Sequence, residues 1–185
     1  MPPVRQKGEH DMSKDYTFNP GDFVVYPAHG VGQVKEIQKT DVAGQSLDLI
    51  AINFNKDKMM LRIPLAKAKN SGLRQVSDAS VMKVAEHTLQ GKAKIKRAHW
   101  SKRSQEYLTK INSGDPVAVA EVLRDLYKNP DFAEQTYSER QIFEQAMGRF
   151  APEYAVVHKI NEAEAQAKVE AILYDKSLAS VKTSV

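Results

Sequence analysis

The feature that most constrains this chain is a change of hydrophobic period at Pro64. Before that proline, apolar residues come in short β-rich runs broken by turn residues. After it they recur three and four positions apart. Two periods in one chain of 185 residues read as two small units, a sheet and then a helical bundle.

The first unit is expected over 16–68. Phe23-Val24-Val25-Tyr26 is a short run stopped by Pro27, and Val31 to Ile37 carries spaced apolar positions. Asp41 to Gly44 reads as a turn, Leu47 to Phe54 partly alternates, and Asn55 to Lys58 is a polar turn. Met59-Met60-Leu61-Arg62-Ile63 ends the series at Pro64. Short strands joined by tight turns suggest a small Tudor/SH3-like β-barrel, which hides its own edges.

The second unit is expected over 69–175 as a compact all-helical domain of about five helices, giving the α+β class. The residue stripes are Val81, Val84, Ala85 and Thr88, then Trp100, Ser104, Tyr107, Leu108 and Ile111. Asn112-Ser113-Gly114 stops a helix, and Asp115-Pro116 starts the next as N-cap and first helical residue. Its face is Val119, Val122, Leu123, Leu126 and Tyr127. Ser138 and Gln141 have capping-box spacing, and Pro152 is expected to separate the last two helices. Residues 1–15 read as a disordered tail with Met12 as a second candidate start, and 176–185 as a C-terminal tail.

The chain has no cysteine, which excludes disulfides, thiolate metal sites and thiol nucleophiles and fits a reducing cytoplasm. It has no apolar run of membrane-spanning length and no secretory h-region. The five histidines are scattered, and no P-loop or nucleophile elbow is present. Nothing favours catalysis, a metal or a cofactor. His29-Gly30-Val31-Gly32 reads as a turn between strands, since no helix N-terminus follows to hold an anion.

The net charge of +4 is unevenly placed. Lys92, Lys94, Lys96, Arg97, Lys102, Arg103 and Lys110 face Glu106 alone within 91–112. That segment carries +6 and the remainder −2. The pattern suits a polyanion binder and, equally, a solvated Lys-rich connector. Trp100, the only tryptophan, sits inside it. Two roles are open to it, a core ring at a helix start or an exposed wedge for an opened minor-groove step. With Ser101 as N-cap, the ring would lie at a helix entry near the surface. Arg62, between Leu61 and Ile63, is either a solvated edge residue or a contact made by strand addition.

Phe18-Asn19-Pro20-Gly21-Asp22-Phe23-Val24-Val25-Tyr26-Pro27-Ala28-His29-Gly30-Val31-Gly32 resembles the opening of the CarD (CarD/CdnL-like) family of bacterial transcription regulators. It is also similar to the polymerase-interacting module of the transcription-repair coupling factor. Leu61-Arg62-Ile63-Pro64 resembles the family's last barrel strand. Trp100-Ser101-Lys102-Arg103 resembles its Trp-Ser-basic-basic segment, and Ile111 to Asp115 with Val119 to Leu126 resembles its next helix. The resemblance spans about residues 16–175. The absence of a P-loop makes the stand-alone regulator the nearer likeness.

The resemblance implies that the barrel binds the RNA polymerase β subunit by adding a strand edge. It implies roles there for Arg62, for Leu49, Ile50 and Ala51, and for Lys39 or its neighbour Thr40. It implies that the helical domain docks on promoter DNA at the upstream edge of the bubble. Trp100 would enter the minor groove without reading sequence, flanked by Lys102 and Arg103 with Lys96 and Arg97. The expected protein is a non-enzymatic open-complex stabiliser without cofactor or metal. It is expected to be a cytoplasmic, nucleoid-associated monomer. The rival readings are a KOW/Tudor-like RNA-binding protein, an enzyme of unknown type and a helix-turn-helix repressor.

Overall fold

The computed structural model describes residues 17–182, with side chains described to residue 180. The expected N-terminal tail and Met12 lie outside the described residues. Five strands form one antiparallel sheet: β1 (Phe23–Tyr26), β2 (Gly30–Val42), β3 (Gln45–Phe54), β4 (Met59–Pro64) and β5 (Arg74–Gln75). Their order is β4-β3-β2-β1-β5. The register of β2 against β3 shifts between Val34 and Glu36, a bulge that bends this 13-residue strand. Val24, Val34, Ile50, Ile52 and Phe54 fill the inner face with Phe18, Ala68 and Leu73. Gly32 lies under that layer. A Cβ there would stand 2.6 Å from Ile52 Cγ2 and 2.8 Å from Phe54 Cε1, so only glycine lets the two side chains close over β2.

A short helix, α1 (Leu65–Asn70), sets Ala68 into this core before β5 returns to pair with β1. Neither element is legible in the sequence. A six-residue helix shows less than two turns of period, and a two-residue strand shows no alternation. The sheet unit therefore extends to Gln75, past the boundary expected at residue 68.

The helical domain contains α2 (Ala79–Gln90), α3 (Trp100–Ile111), α4 (Pro116–Leu126), α5 (Tyr137–His158) and α6 (Glu162–Lys182). Helix α4 is its centre, with Val119, Ala120, Val122, Leu123 and Leu126 all buried. Asp115 caps it as expected, its carboxylate accepting from Val117 N at 2.9 Å.

Four expectations need correction. The buried stripe of α2 is Met82, Ala85 and Leu89, while Val81 and Val84 are exposed. Both stripes have helical spacing and share Ala85, and the larger, more flexible pair faces α4. The capping box of α5 is Thr136 with Glu139, not Ser138 with Gln141. Thr136 N donates to Glu139 Oε2 at 3.0 Å and Glu139 N to Thr136 Oγ1 at 3.3 Å. Pro152 does not end a helix but lies inside α5. Proline releases the carbonyl four residues earlier. That carbonyl is Gly148 O, and Lys56 Nζ from the sheet domain donates to it at 3.4 Å. The break comes instead at Lys159, which is left-handed at φ 55°. Finally, residue 176 does not begin a tail. Helix α6 runs on to Lys182, and Ser177 Oγ accepts from Asn129 Nδ2 at 2.8 Å.

The two domains meet at a buried ion pair. Arg74 of β5 grips Glu153 of α5 in parallel, Nη1 to Oε1 at 2.7 Å and Nη2 to Oε2 at 3.0 Å. Glu153 is 3% exposed and also accepts from Ser77 N at 2.9 Å and Ser77 Oγ at 2.8 Å. Arg74 Nε donates to Gly114 O at 2.9 Å. Removing one partner of such a pair strands the other, so Glu153→Ala is expected to cost about 3 kcal/mol. Lys96→Ala, at the exposed Lys96–Glu106 pair within the helical domain, is expected to cost far less. Urea unfolding of the two variants measures the contrast, and equal losses would show that the buried pair does not hold the domains.

Candidate functional site

The basic segment is not a loose connector. Gly91 ends α2, and the loop over 92–99 is fastened from beneath. Lys94 N donates to Asp125 Oδ1 at 2.9 Å, and the same oxygen accepts from Arg124 Nε at 2.8 Å. Arg124 and Asp125 are 5% and 6% exposed. Lys96 pairs with Glu106 at 2.9 Å and Lys110 with Glu121 at 2.6 Å. The hydrogen bond between Lys96 and Glu106 raises the lysine's pKa and lowers the carboxyl's. Lys92, Lys94, Arg97 and Lys102 have exposed side chains and make no ion pair among the described residues. Ile95, 54% exposed between two lysines, was not singled out by sequence reasoning. Its only trace there is an apolar residue inside a cationic run.

Trp100 is the first residue of α3. The N-cap is His99, without a side-chain cap, and Ser101 is the second helical residue rather than the cap expected. The indole is half-buried and packs on the helical core. Its ring centroid lies 6.4 Å from that of Tyr107, tilted by 51°. The indole is thus neither a fully buried core ring nor a free surface ring. Arg103 is half-buried against the same rings, whereas Lys102 is exposed.

In the sheet domain, β4 pairs only with β3 and forms an open edge. Arg62 is exposed on it, opposite Ala51, which in turn faces Glu36. Leu49 lies between Pro64 and Gln38, and Leu47 faces Thr40. Alternation puts Arg62, Ala51, Leu49 and Thr40 on one outer face. Lys39 faces Asp48 and falls on the opposite face, with Ile50. Ile50 is fully buried in the core. The structure therefore gathers Arg62, Leu49 and Thr40 on that face, with Ala51 in register among them but buried at 2% exposed, and separates Lys39 and Ile50 from them. Met60, 46% exposed, joins the outer face beside Arg62. In a strand with period two, the doubled Met59-Met60 obliges one methionine to point outward.

Among the described residues no cluster of His, Asp and Glu could hold a metal ion, and no helix is long and apolar enough to cross a membrane. His29 serves the sheet: it stacks on Tyr26 with centroids 5.8 Å apart and approaches Asp57 at 3.5 Å.

Comparison with known proteins gives the same two-part division. Residues 18–77 match the family CarD-like/TRCF RID domain, and residues 83–170 match the family CarD, C-terminal domain. YdeB of Bacillus subtilis (strain 168), named as a candidate transcription factor, is 28% identical over 145 residues. The match spans 78% of this chain and 95% of YdeB. The solution structure of the 72-residue N-terminal domain of Myxococcus xanthus CarD is 35% identical. It covers 31% of this chain and 76% of its own, with a TM-score of 0.27.

Beneath the basic loop, α6 braces α4. Lys176 Nζ donates to Arg124 O at 2.9 Å. Burial, aided by the nearby Arg124 charge, pushes the Lys176 pKa down to about 8, with Asp125 opposing. The unfolded chain keeps that proton up to the ordinary lysine value of 10.5, where the folded chain has released it. Stability contributed by Lys176 is thus lowest below about pH 8 and rises with pH through this window. Urea midpoints of the wild type are expected to gain on those of Lys176→Met as pH rises from about 8 toward 10.5. Parallel curves would show that Lys176 keeps a solvent-like proton affinity.

Proposed function

The chain belongs to the CarD family and is a transcription regulator, and from that premise we propose that it holds RNA polymerase with its sheet domain and promoter DNA with its helical domain, prolonging the open complex. One observation carries the reading: the protein presents an open strand edge beside an outward arginine in one domain, and a half-seated tryptophan behind a pinned basic loop in the other.

The sheet partner is the polymerase β subunit. An edge strand offers unpaired backbone groups to a strand of the partner. Arg62 supplies a forked donor for a carboxylate, flanked by Met60, Leu49 and Thr40. The DNA partner is the upstream edge of the bubble. There Trp100 enters a minor-groove step that melting has already distorted, where the cost of unstacking is lowest. Lys92, Lys94, Arg97 and Lys102 are the cations left for phosphates, and about four contacts give a salt slope between about −3 and −4. Such binding to free DNA is weak and reads no sequence. Attachment to polymerase raises the local DNA concentration and supplies promoter choice. The protein acts as a monomer in the cytoplasm, on the nucleoid through polymerase, without cofactor or catalytic step.

A tenfold longer open complex needs about 1.4 kcal/mol of preference for the open over the closed state, within reach of one aromatic wedge. Open-complex lifetime on a weak promoter is the test. The intact protein is expected to lengthen it. Trp100→Ala is expected to bind polymerase and lose most of the gain, and Arg62→Glu to lose polymerase binding. An intact protein that neither binds polymerase nor changes the lifetime would falsify the reading.

A further inference from the structure

The sequence groups Arg103 with Lys102 as a cation for DNA, yet the fold treats the two residues differently. Lys102 is exposed, while Arg103 is half-buried and lies along α3 beside two rings. Its guanidinium carbon is 5.5 Å from the Trp100 ring centroid and 5.9 Å from that of Tyr107. Positions 100, 103 and 107 share one helical face. Tyr107 is 6% exposed and fixed in the domain core, so it forms a rigid wall behind the pair. Arg103 Nε is buried and makes no hydrogen bond among the described residues. An arginine built to clamp a phosphate presents its donors as a fork toward solvent. This one turns a donor inward without an acceptor and sets its guanidinium within cation–π distance of two aromatic rings.

We propose that Arg103 is a positioning residue that holds the Trp100 indole against Tyr107, ready for insertion, and does not itself neutralise a phosphate. The proposal rests on the reading of Trp100 as the inserting group. A ring held before DNA arrives loses little rotational freedom on insertion, so more of its contact energy is expressed in open-complex stability. Lysine cannot substitute, because it keeps the charge but lacks the planar face.

Trp100 is the only tryptophan, so intrinsic fluorescence of the full chain reports on this ring alone. The first measurement uses acrylamide quenching and anisotropy of Arg103→Lys, Arg103→Gln and Lys102→Gln without DNA or polymerase, with circular dichroism confirming the fold. Both Arg103 variants are expected to show stronger quenching and lower anisotropy than wild type, and Lys102→Gln neither change. On polymerase and promoter, Arg103→Lys is expected to lose about two- to fivefold of the lifetime gain, the scale of an exposed cation–π contact. Arg103→Gln is expected to leave the salt slope of DNA binding unchanged, and Lys102→Gln to reduce it by about 1.

Wild-type quenching and anisotropy in Arg103→Lys would overturn the proposal. So would a salt slope reduced by about 1 in Arg103→Gln, since that marks a phosphate contact. A loosened ring in Arg103→Lys beside a lifetime indifferent to Trp100→Ala supports the positioning and removes the open-complex reading. The two failures are thereby distinguishable.

Discussion

The working geometry depends on the pair between Arg74 and Glu153. Taking a guanidinium and a carboxylate out of water costs several kcal/mol per ion, and a buried pair recovers that only when its remaining donors and acceptors are matched. Here they are. Glu153 accepts from both Arg74 nitrogens and from Ser77 twice, and Arg74 spends a further donor on Gly114 O. The pair is best understood as fixing orientation rather than as adding net stability. Arg149 Nη2 reaches Ala28 O at 2.6 Å across the same seam, and Lys56 takes the carbonyl that Pro152 releases. A proline that reads as a helix break is thus turned into an acceptor for the other domain. With the domains held, the proposed partner on the sheet and the proposed duplex on the bundle would meet a preset spacing, and little ordering entropy would oppose the second contact.

The charge count of the basic segment overstates what it can offer a polyanion. Two of its seven cations are matched by Glu106 and Glu121, and Arg103 is turned against rings. What remains is Lys92, Lys94 and Arg97 on a loop held by a buried Asp125, and Lys102 in the first turn of α3. That arrangement trades attraction for placement. A richer patch would bind any duplex and draw the protein away from polymerase, because phosphate attraction is indifferent to sequence.

The sequence makes legible what depends on local rules: the strand runs, the polar turn over 55–58, and the Asp115-Pro116 helix start. It also marks the distinctive residues, with Arg62 outward on a strand and Trp100 within a basic run. It misleads where several local solutions are equally good and tertiary contact decides. Two overlapping stripes in α2, and two S/T-x-x-E/Q patterns near residue 137, cannot be ranked without knowing what packs opposite. The seam itself left no local pattern. Arg74 and Glu153 are 79 residues apart, and neither stands in a motif.

The sheet has two edges, and the fold occupies one. β5 is two residues long, and both it and its neighbourhood are engaged: Arg74 in the seam, Gln75 Nε2 on Thr17 O at 3.3 Å. An edge so short and so covered offers no template to a partner strand. β4 is six residues long and carries no covering element on its far side in the sheet order. Natural edges of that length are commonly blunted by an outward charge, and Arg62 supplies one. The same charge that discourages a second copy of an arginine-bearing edge favours a strand carrying a carboxylate, so defence against self-pairing and choice of partner become one property of one residue. Thr40, Leu49 and Ala51 share its face, whereas Lys39 does not. On the proposed reading, recognition on this sheet would rest on one edge cation beside Met60 and Leu49, with the Glu36 carboxylate two strands inward on the same face, and selectivity would come from where the strand edge lies rather than from total charge.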